Sequence, residues 1–248
     1  MAPDSITPWY LDWSMWSSVA AFVALGLSIV PYLRRFRKSR LEIDVYQRIF
    51  LTHKVGNPNA QLQVMLTNTG GKRIRVRGMS LDIKRAGDTL FSLVGVTYLH
   101  LPSASDGVLL APFSLQVEQE WGHLVNFYQI TTQQEQRTFR TFQKSIKDNI
   151  IAQRVGMPPS APDVEAPPEL VAPALEYFNR RFKWFEGEFE LTLTISTDTD
   201  FVASKKLRMT IFETDSQNLE ECKTQLKFGR DILQNDAPGT IVELMERA

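Results

Sequence analysis

Apolar and polar positions recur along this chain with different periods, and each period predicts a different element. Residues 13–33, WSMWSSVAAFVALGLSIVPYL, form a run of 21 residues without a charge. As a helix they would extend about 31 Å, close to the hydrocarbon thickness of a bilayer. From Leu41 onward the period becomes two. Leu41, Ile43 and Val45 alternate with Glu42 and Asp44, and Leu62, Val64 and Leu66 with Gln61, Gln63 and Met65. Ile74 and Val76 alternate with Arg73, Arg75 and Arg77, and Leu81, Ile83, Leu115 and Val117 continue the pattern. Phe189, Leu191, Leu193 and Ile195 alternate with Glu188, Glu190, Thr192 and Thr194, followed by Leu207, Met209 and Ile211. This alternation predicts strands with one buried and one wet face, the pattern of antiparallel sheets.

A helical period interrupts the strands. Phe139, Phe142, Ile146 and Ile150 fall on one helical stripe, and Leu175, Phe178, Phe182 and Phe185 on another. Between them MPPSAPDVEAPPELVAP predicts an extended connector. The tail from Leu219 reads as helix, breaks near Asp236–Gly239, and ends in a short helical turn.

The expected organisation is therefore an extracytoplasmic N-terminus (1–12), a transmembrane helix (13–33) and a basic juxtamembrane segment (34–40). A β-sandwich begins over 41–120, is interrupted by a helical and Pro-rich insertion over 121–187, resumes over 188–213, and is followed by a C-terminal helical tail over 214–248. The fold class predicted is mostly β: one transmembrane helix followed by an immunoglobulin-like antiparallel sandwich. The stretch LQVMLTNTGGKRIRVRGMSLDI resembles a strand–turn–strand pair of bacterial immunoglobulin-like sandwiches. That resemblance implies a fold class and no activity.

Charge sharpens the membrane reading. The chain holds 28 basic and 28 acidic residues, a balance that argues against a nucleic-acid partner. Yet Arg34, Arg35, Arg37, Lys38 and Arg40 follow the uncharged run at once, and no base precedes it. With Trp9, Trp13 and Trp16 at one end and Tyr32 at the other, these residues form the aromatic and basic flanks of a membrane anchor. The asymmetry predicts an inner-membrane protein with its N-terminus outside and its body in the cytoplasm, consistent with a single cysteine, Cys222, which cannot form an internal disulfide. Ala20, Ala24 and Ser28, spaced by four, allow a homo-oligomer.

Candidate chemistry is sparse. Gly70-Gly71-Lys72-Arg73 lacks the first glycine and the Ser/Thr of a phosphate loop, and neither G-x-S-x-G nor H-E-x-x-H occurs. His53, His100 and His123 have no ligand-like spacing, although one of them could serve Cys222 as a base. Asp198-Thr199-Asp200 reads as a turn rather than an ion site. No catalytic residue, cofactor or metal ligand is assigned. Arg137, Arg140, Lys144, Lys147, Arg180, Arg181 and Lys183 flank the two helical stripes and are the candidate contacts for an anionic ligand or lipid. The expected function is a non-catalytic membrane-anchored module whose cytosolic domain binds a partner protein. The alternative is a membrane effector or sensor that binds a nucleotide or lipid and oligomerises to perturb the bilayer.

Overall fold

The computed structural model describes residues 13–35, 38–100, 107–158, 162–198, 202–234 and 237–246. After helix α1 (Trp13–Arg35), the chain forms strands β1 (Leu41–Lys54), β2 (Asn57–Asn68), β3 (Ile74–Arg85), β4 (Asp88–Leu99), β5 (Val108–Leu109), β6 (Phe113–Leu115) and β7 (Glu120–Tyr128). Helices α2 (Gln133–Arg154) and α3 (Pro168–Arg181) follow, then β8 (Gly187–Thr197), β9 (Val202–Ile211), α4 (Glu213–Glu220), a 3-10 segment (Glu221–Phe228) and β10 (Thr240–Glu246).

Eight of these strands close into an antiparallel barrel. Around the ring the order is β1, β2, β7, β4, β3, β8, β9 and β10, and β10 returns to β1 through Ile49 opposite Val242. The pairing of β3 with β4 through Leu81 and Leu93 closes the other seam. Full closure removes the free edges that a sandwich leaves open. The immunoglobulin-like sandwich predicted from the sequence is therefore corrected to a closed barrel. The period of two placed most of its apolar residues correctly: Leu62, Val64, Leu66, Leu81, Ile83, Leu191, Leu193, Ile195, Leu207, Met209 and Ile211 are all buried, whereas Val117 lies between strands and is exposed. Periodicity identifies faces, but it does not say which strands pair. In particular β2 and β3, the two strands of the immunoglobulin-like stretch, lie apart in the ring, separated by β7 and β4.

The boundaries also move. Residues 121–128, expected to open the helical insertion, belong to strand β7, and β10 replaces the terminal helical turn and completes the ring. Helix α2 covers its predicted stripe, whereas α3 begins inside the expected connector and ends at Arg181, before Phe182 and Phe185 of the second stripe, and Phe185 is exposed. Thr132 and Glu135 form a reciprocal cap at the start of α2, and Pro168 opens α3. Phe142, Ile146 and Ile150 of α2 and Val171, Ala174, Tyr177 and Phe178 of α3 are buried. Past α3, Phe182 and Trp184 join this apolar cap.

The membrane-spanning helix is a second correction. Among the described residues no helix is long and apolar enough to cross a membrane. Of the expected anchor residues, Trp16, Lys38 and Arg40 are exposed. Trp9 and Arg37, and the side chains of Trp13, Tyr32, Arg34 and Arg35, lie outside the described residues.

Candidate functional site

The end of the β1–β2 hairpin carries the chemistry. Lys54 pairs with Asn57, so Val55 and Gly56 alone make the turn, and both have positive φ, 46° and 79°. A two-residue hairpin turn of this hand needs such backbone. Glycine adopts it freely, and a Cβ on Gly56 would lie 2.6 Å from the Phe178 carbonyl oxygen. Val55 is β-branched, and its conformation costs about 1–3 kcal/mol. Two features hold it: the side chain is fully buried, and its N–H donates to Asp231 Oδ2 at 2.5 Å.

Alternation along β1 sends neighbouring residues to opposite sides of the barrel wall. His53 points inward and is 2% exposed. Its ring meets Phe178 and Phe182 edge-on at 5.2 and 5.8 Å. A carbonyl can only accept, so the 2.7 Å contact between Nε2 and Leu219 O means that Nε2 carries a proton. Nδ1 lies 3.4 Å from Asp231 Oδ2 and 3.3 Å from the Gly56 amide nitrogen, which donates to it. The Cys222 sulfur sits 3.6 Å from Nε2. The structure thus joins two residues that the sequence offered as a base and a thiol. It also encloses them: Cys222 is 4% and Asp231 1% exposed. Nε2, the nitrogen facing the thiol, already gives its proton to a carbonyl, so it is not placed to deprotonate that thiol.

On the outer face, Phe50, Thr52, Lys54, Asn57, Asn59, Gln61, Asn126 and Tyr128 line a groove of about 470 Å³, with His53 at its back. Asn59 Oδ1 and Asn126 Oδ1 are buried there without a hydrogen-bond partner. Asn126 is fixed from its other end, where Nδ2 donates to Thr97 Oγ1 at 2.9 Å. A neighbouring cleft of about 240 Å³ shares Lys54 and Asn57 and adds Thr131, Gln136, Phe139, Arg140 and Tyr177. Together they offer amides, hydroxyls, aromatic rings and the cations Lys54 and Arg140, with no carboxylate among the lining residues.

The basic residues predicted from the helical stripes separate. Arg140 lines the second cleft, whereas Arg137 lines another, of about 370 Å³, between α2 and α3. Arg181 is committed internally: it pairs with Glu135 at 2.8 Å, donates to Gln129 Oε1 at 2.9 Å, and binds Asn57 Oδ1 through two nitrogens. Burial, the largest single influence on Glu135, raises its pKa. Hydrogen bonds from Thr132 together with the Arg181 and Arg180 charges outweigh it and hold the carboxyl below its usual range. Arg180 sits over the Tyr177 ring at 5.7 Å. Lys144 and Lys147 are exposed and Lys183 is half-buried. Elsewhere, His100 and His123 come within 5.5 Å of each other beside Tyr98. Burial, then the nearby His100, lowers the His123 pKa against the opposing Leu99 carbonyl.

The sequence reading missed the groove, although a signal existed. Asn57, Asn59, Gln61 and Gln63 put an amide at every outward position over half of β2, where a plain solvent face would mix charges.

No family model matches the chain, and no curated protein matches it. Among solved structures it is similar to Spo0M, a sporulation control protein from Bacillus subtilis, at 11% identity and a TM-score of 0.31. That match covers 75% of this chain and 55% of the other, so the chain spans about half the length of that structure.

Proposed function

We propose that this protein is a non-catalytic binding module whose barrel wall receives a small anionic, hydroxyl-bearing ligand. The observation that carries this reading is the pair of buried amide oxygens in the groove that lack donors, with Arg140 in the neighbouring cleft and Lys54, which also reaches Asp231 Oδ1 at 3.9 Å, between the two. A buried acceptor without a partner costs about 1–3 kcal/mol, which a ligand hydroxyl would offset. Lys54 and Arg140 would meet the negative group, and Phe50 or Tyr128 would cover an apolar ring face. AMP and ribose 5-phosphate are suitable probes for titration calorimetry. Binding is expected to weaken about 10-fold in Arg140→Gln, the value of one charge-assisted bond, while ribose alone binds more weakly than its phosphate. Absence of binding at millimolar probe, or indifference to Arg140→Gln, overturns the reading.

A protein partner is the second reading, supported by an apolar patch on β9, β10 and α4. Phe212, Ile241 and Met245 are 66%, 63% and 58% exposed and line one cleft. Complexes captured through this patch should survive high salt and be lost in Ile241→Asp. Location at the inner face of the cell membrane is a separate proposal, resting on the basic step Arg34–Arg40. Recovery of the chain in the membrane fraction, released by neutralising those residues, tests it.

A further inference from the structure

We propose that His53, Cys222 and Asp231 form a binding site for a zinc-class divalent transition-metal ion. Three donors of different chemistry, from distant parts of the chain, bring ligand atoms within 4.8 Å of one another in the protein core. The tautomer of His53 provides the first argument. Because Nε2–H is spent on the Leu219 carbonyl, Nδ1 presents its lone pair. That arrangement, with the second ring nitrogen donating to a backbone carbonyl, is how metal-binding histidines are oriented.

Geometry provides the second. Nδ1 faces Asp231 Oδ2 at 3.4 Å, while Lys54 Nζ reaches the other carboxylate oxygen, Oδ1, at 3.9 Å; a cation seated between Nδ1 and Oδ2 would turn their mutual repulsion into attraction. A shared proton would draw a charged pair to about 2.7–2.9 Å. The observed gap instead matches the edge of a tetrahedron whose metal–ligand arms are about 2.0–2.1 Å. The Gly56 amide, 3.3 Å from the same nitrogen, makes a long hydrogen bond that an ion would displace. Cys222 Sγ lies beside the ring, 3.6 Å from Nε2.

The surroundings hold the donors in place. Asp231 Oδ2 is anchored by the Val55 N–H, and both Val55 and Asp231 are non-glycine residues at positive φ, 46° and 57°. Strained backbone of this kind persists where the fold over-determines it, commonly at ligand sites. A thiolate and a carboxylate together balance a divalent charge, with Lys54 3.9 Å from the outer carboxylate oxygen. The mixed S, N and O set selects zinc or cobalt over magnesium and calcium, which prefer oxygen. His53 also lines the outer groove, although its side chain and that of Asp231 are 0% and 1% exposed, so entry of the ion requires local opening of the hairpin end. Coordination releases the Cys222 thiol proton to solvent, so affinity rises with pH.

The test uses the full chain, stripped with a chelator and titrated with Co²⁺ and then Zn²⁺. The chain has one cysteine, so a cobalt–thiolate charge-transfer band in the near ultraviolet reports Cys222 alone. The expected result is one equivalent bound, a higher Tm, bleaching of the band by Zn²⁺, and its absence in Cys222→Ser. Asp231→Asn should weaken binding 10–100-fold. Should either variant fail to fold, protection of the wild-type thiol from alkylation by one equivalent of Zn²⁺ replaces it. Folded wild-type protein with no band, no Tm shift and no protection overturns the proposal, as does a band that persists in Cys222→Ser.

Discussion

The two sides of the β1–β2 hairpin end differ more than their shared backbone suggests. On the inner side, His53 and Val55 lie under Phe178 and Phe182, and their polar atoms meet Leu219, Cys222 and Asp231. On the outer side, Thr52, Lys54 and Asn57 face a groove lined by amides. The difference begins where β10 ends. Its pairing with β1 stops at Leu51 opposite Thr240, so beyond that point the wall must be completed by other groups. The indole of Trp184 donates to the Thr52 carbonyl at 2.7 Å, Thr52 Oγ1 donates to Pro238 O, and Lys54 donates to Gln234 O at 2.5 Å. Side chains thus finish the ladder that strands begin, which leaves one face dry and the other lined by a groove.

The comparison breaks most severely from the inside. Phe178 is fully buried, stacks on Phe182 at 5.2 Å, and meets His53 edge-on. Phe178→Ala should cost about 3–5 kcal/mol in urea unfolding, the usual loss for a buried aromatic ring. It should also unsettle the His53 cluster. A loss under about 1 kcal/mol would mean that the hairpin end holds its inner face without the helical cap.

How much of this contrast is legible in the sequence depends on the range of the interactions. Period two places Leu62, Leu193 and their like inward because strand geometry is local. The same parity along β1 sends His53 inward with Ile49 and Leu51. Strand β4 escapes that test, since Leu90 and Val96 are 43% and 37% exposed and apolar residues occupy both of its faces. Strand β7 reads as helix for a related reason: Leu124, Val125, Phe127 and Tyr128 crowd one end without alternating. Closure through Ile49 and Val242, and the meeting of residues 53, 222 and 231, rest on pairings between distant parts of the chain. No local pattern carries those. Nor does a helical stripe show that Arg181, unlike Arg140, spends its charge inside the fold on Glu135.

That internal pair sharpens the comparison next. Arg181 ties Glu135 and Gln129 to Asn57 at the hairpin tip, with side chains of Arg181 and Glu135 only 12% and 21% exposed. Glu135→Gln should cost about 1–3 kcal/mol at neutral pH, the worth of hydrogen bonds to a charged group. The pH dependence has a definite sign. The folded pKa of Glu135 is depressed below the ordinary value of 4.5, so its contribution is present above that value and is lost as pH falls through the folded pKa. Stability curves of wild type and Glu135→Gln should therefore converge in acid. Parallel curves down to the acid transition would show that Glu135 is not the group that links this tip to pH.

The smallest effect belongs to the outer face. Gln61 lines the groove from the middle of β2 and is half-buried, while the core beneath it is carried by its neighbours Ala60 and Leu62, 1% and 0% exposed. A surface substitution that touches neither cap nor core changes stability by about 0.5 kcal/mol or less. Gln61→Ala should therefore leave the unfolding midpoint almost unmoved. If the groove binds through its amides, the same substitution should still weaken AMP measurably in calorimetry. Stability unchanged with affinity reduced would separate the two faces of β1 and β2 by function. Stability reduced with affinity unchanged would make the outer amides part of the wall, and the contrast drawn from Thr52 to Asn57 would then be one of burial alone.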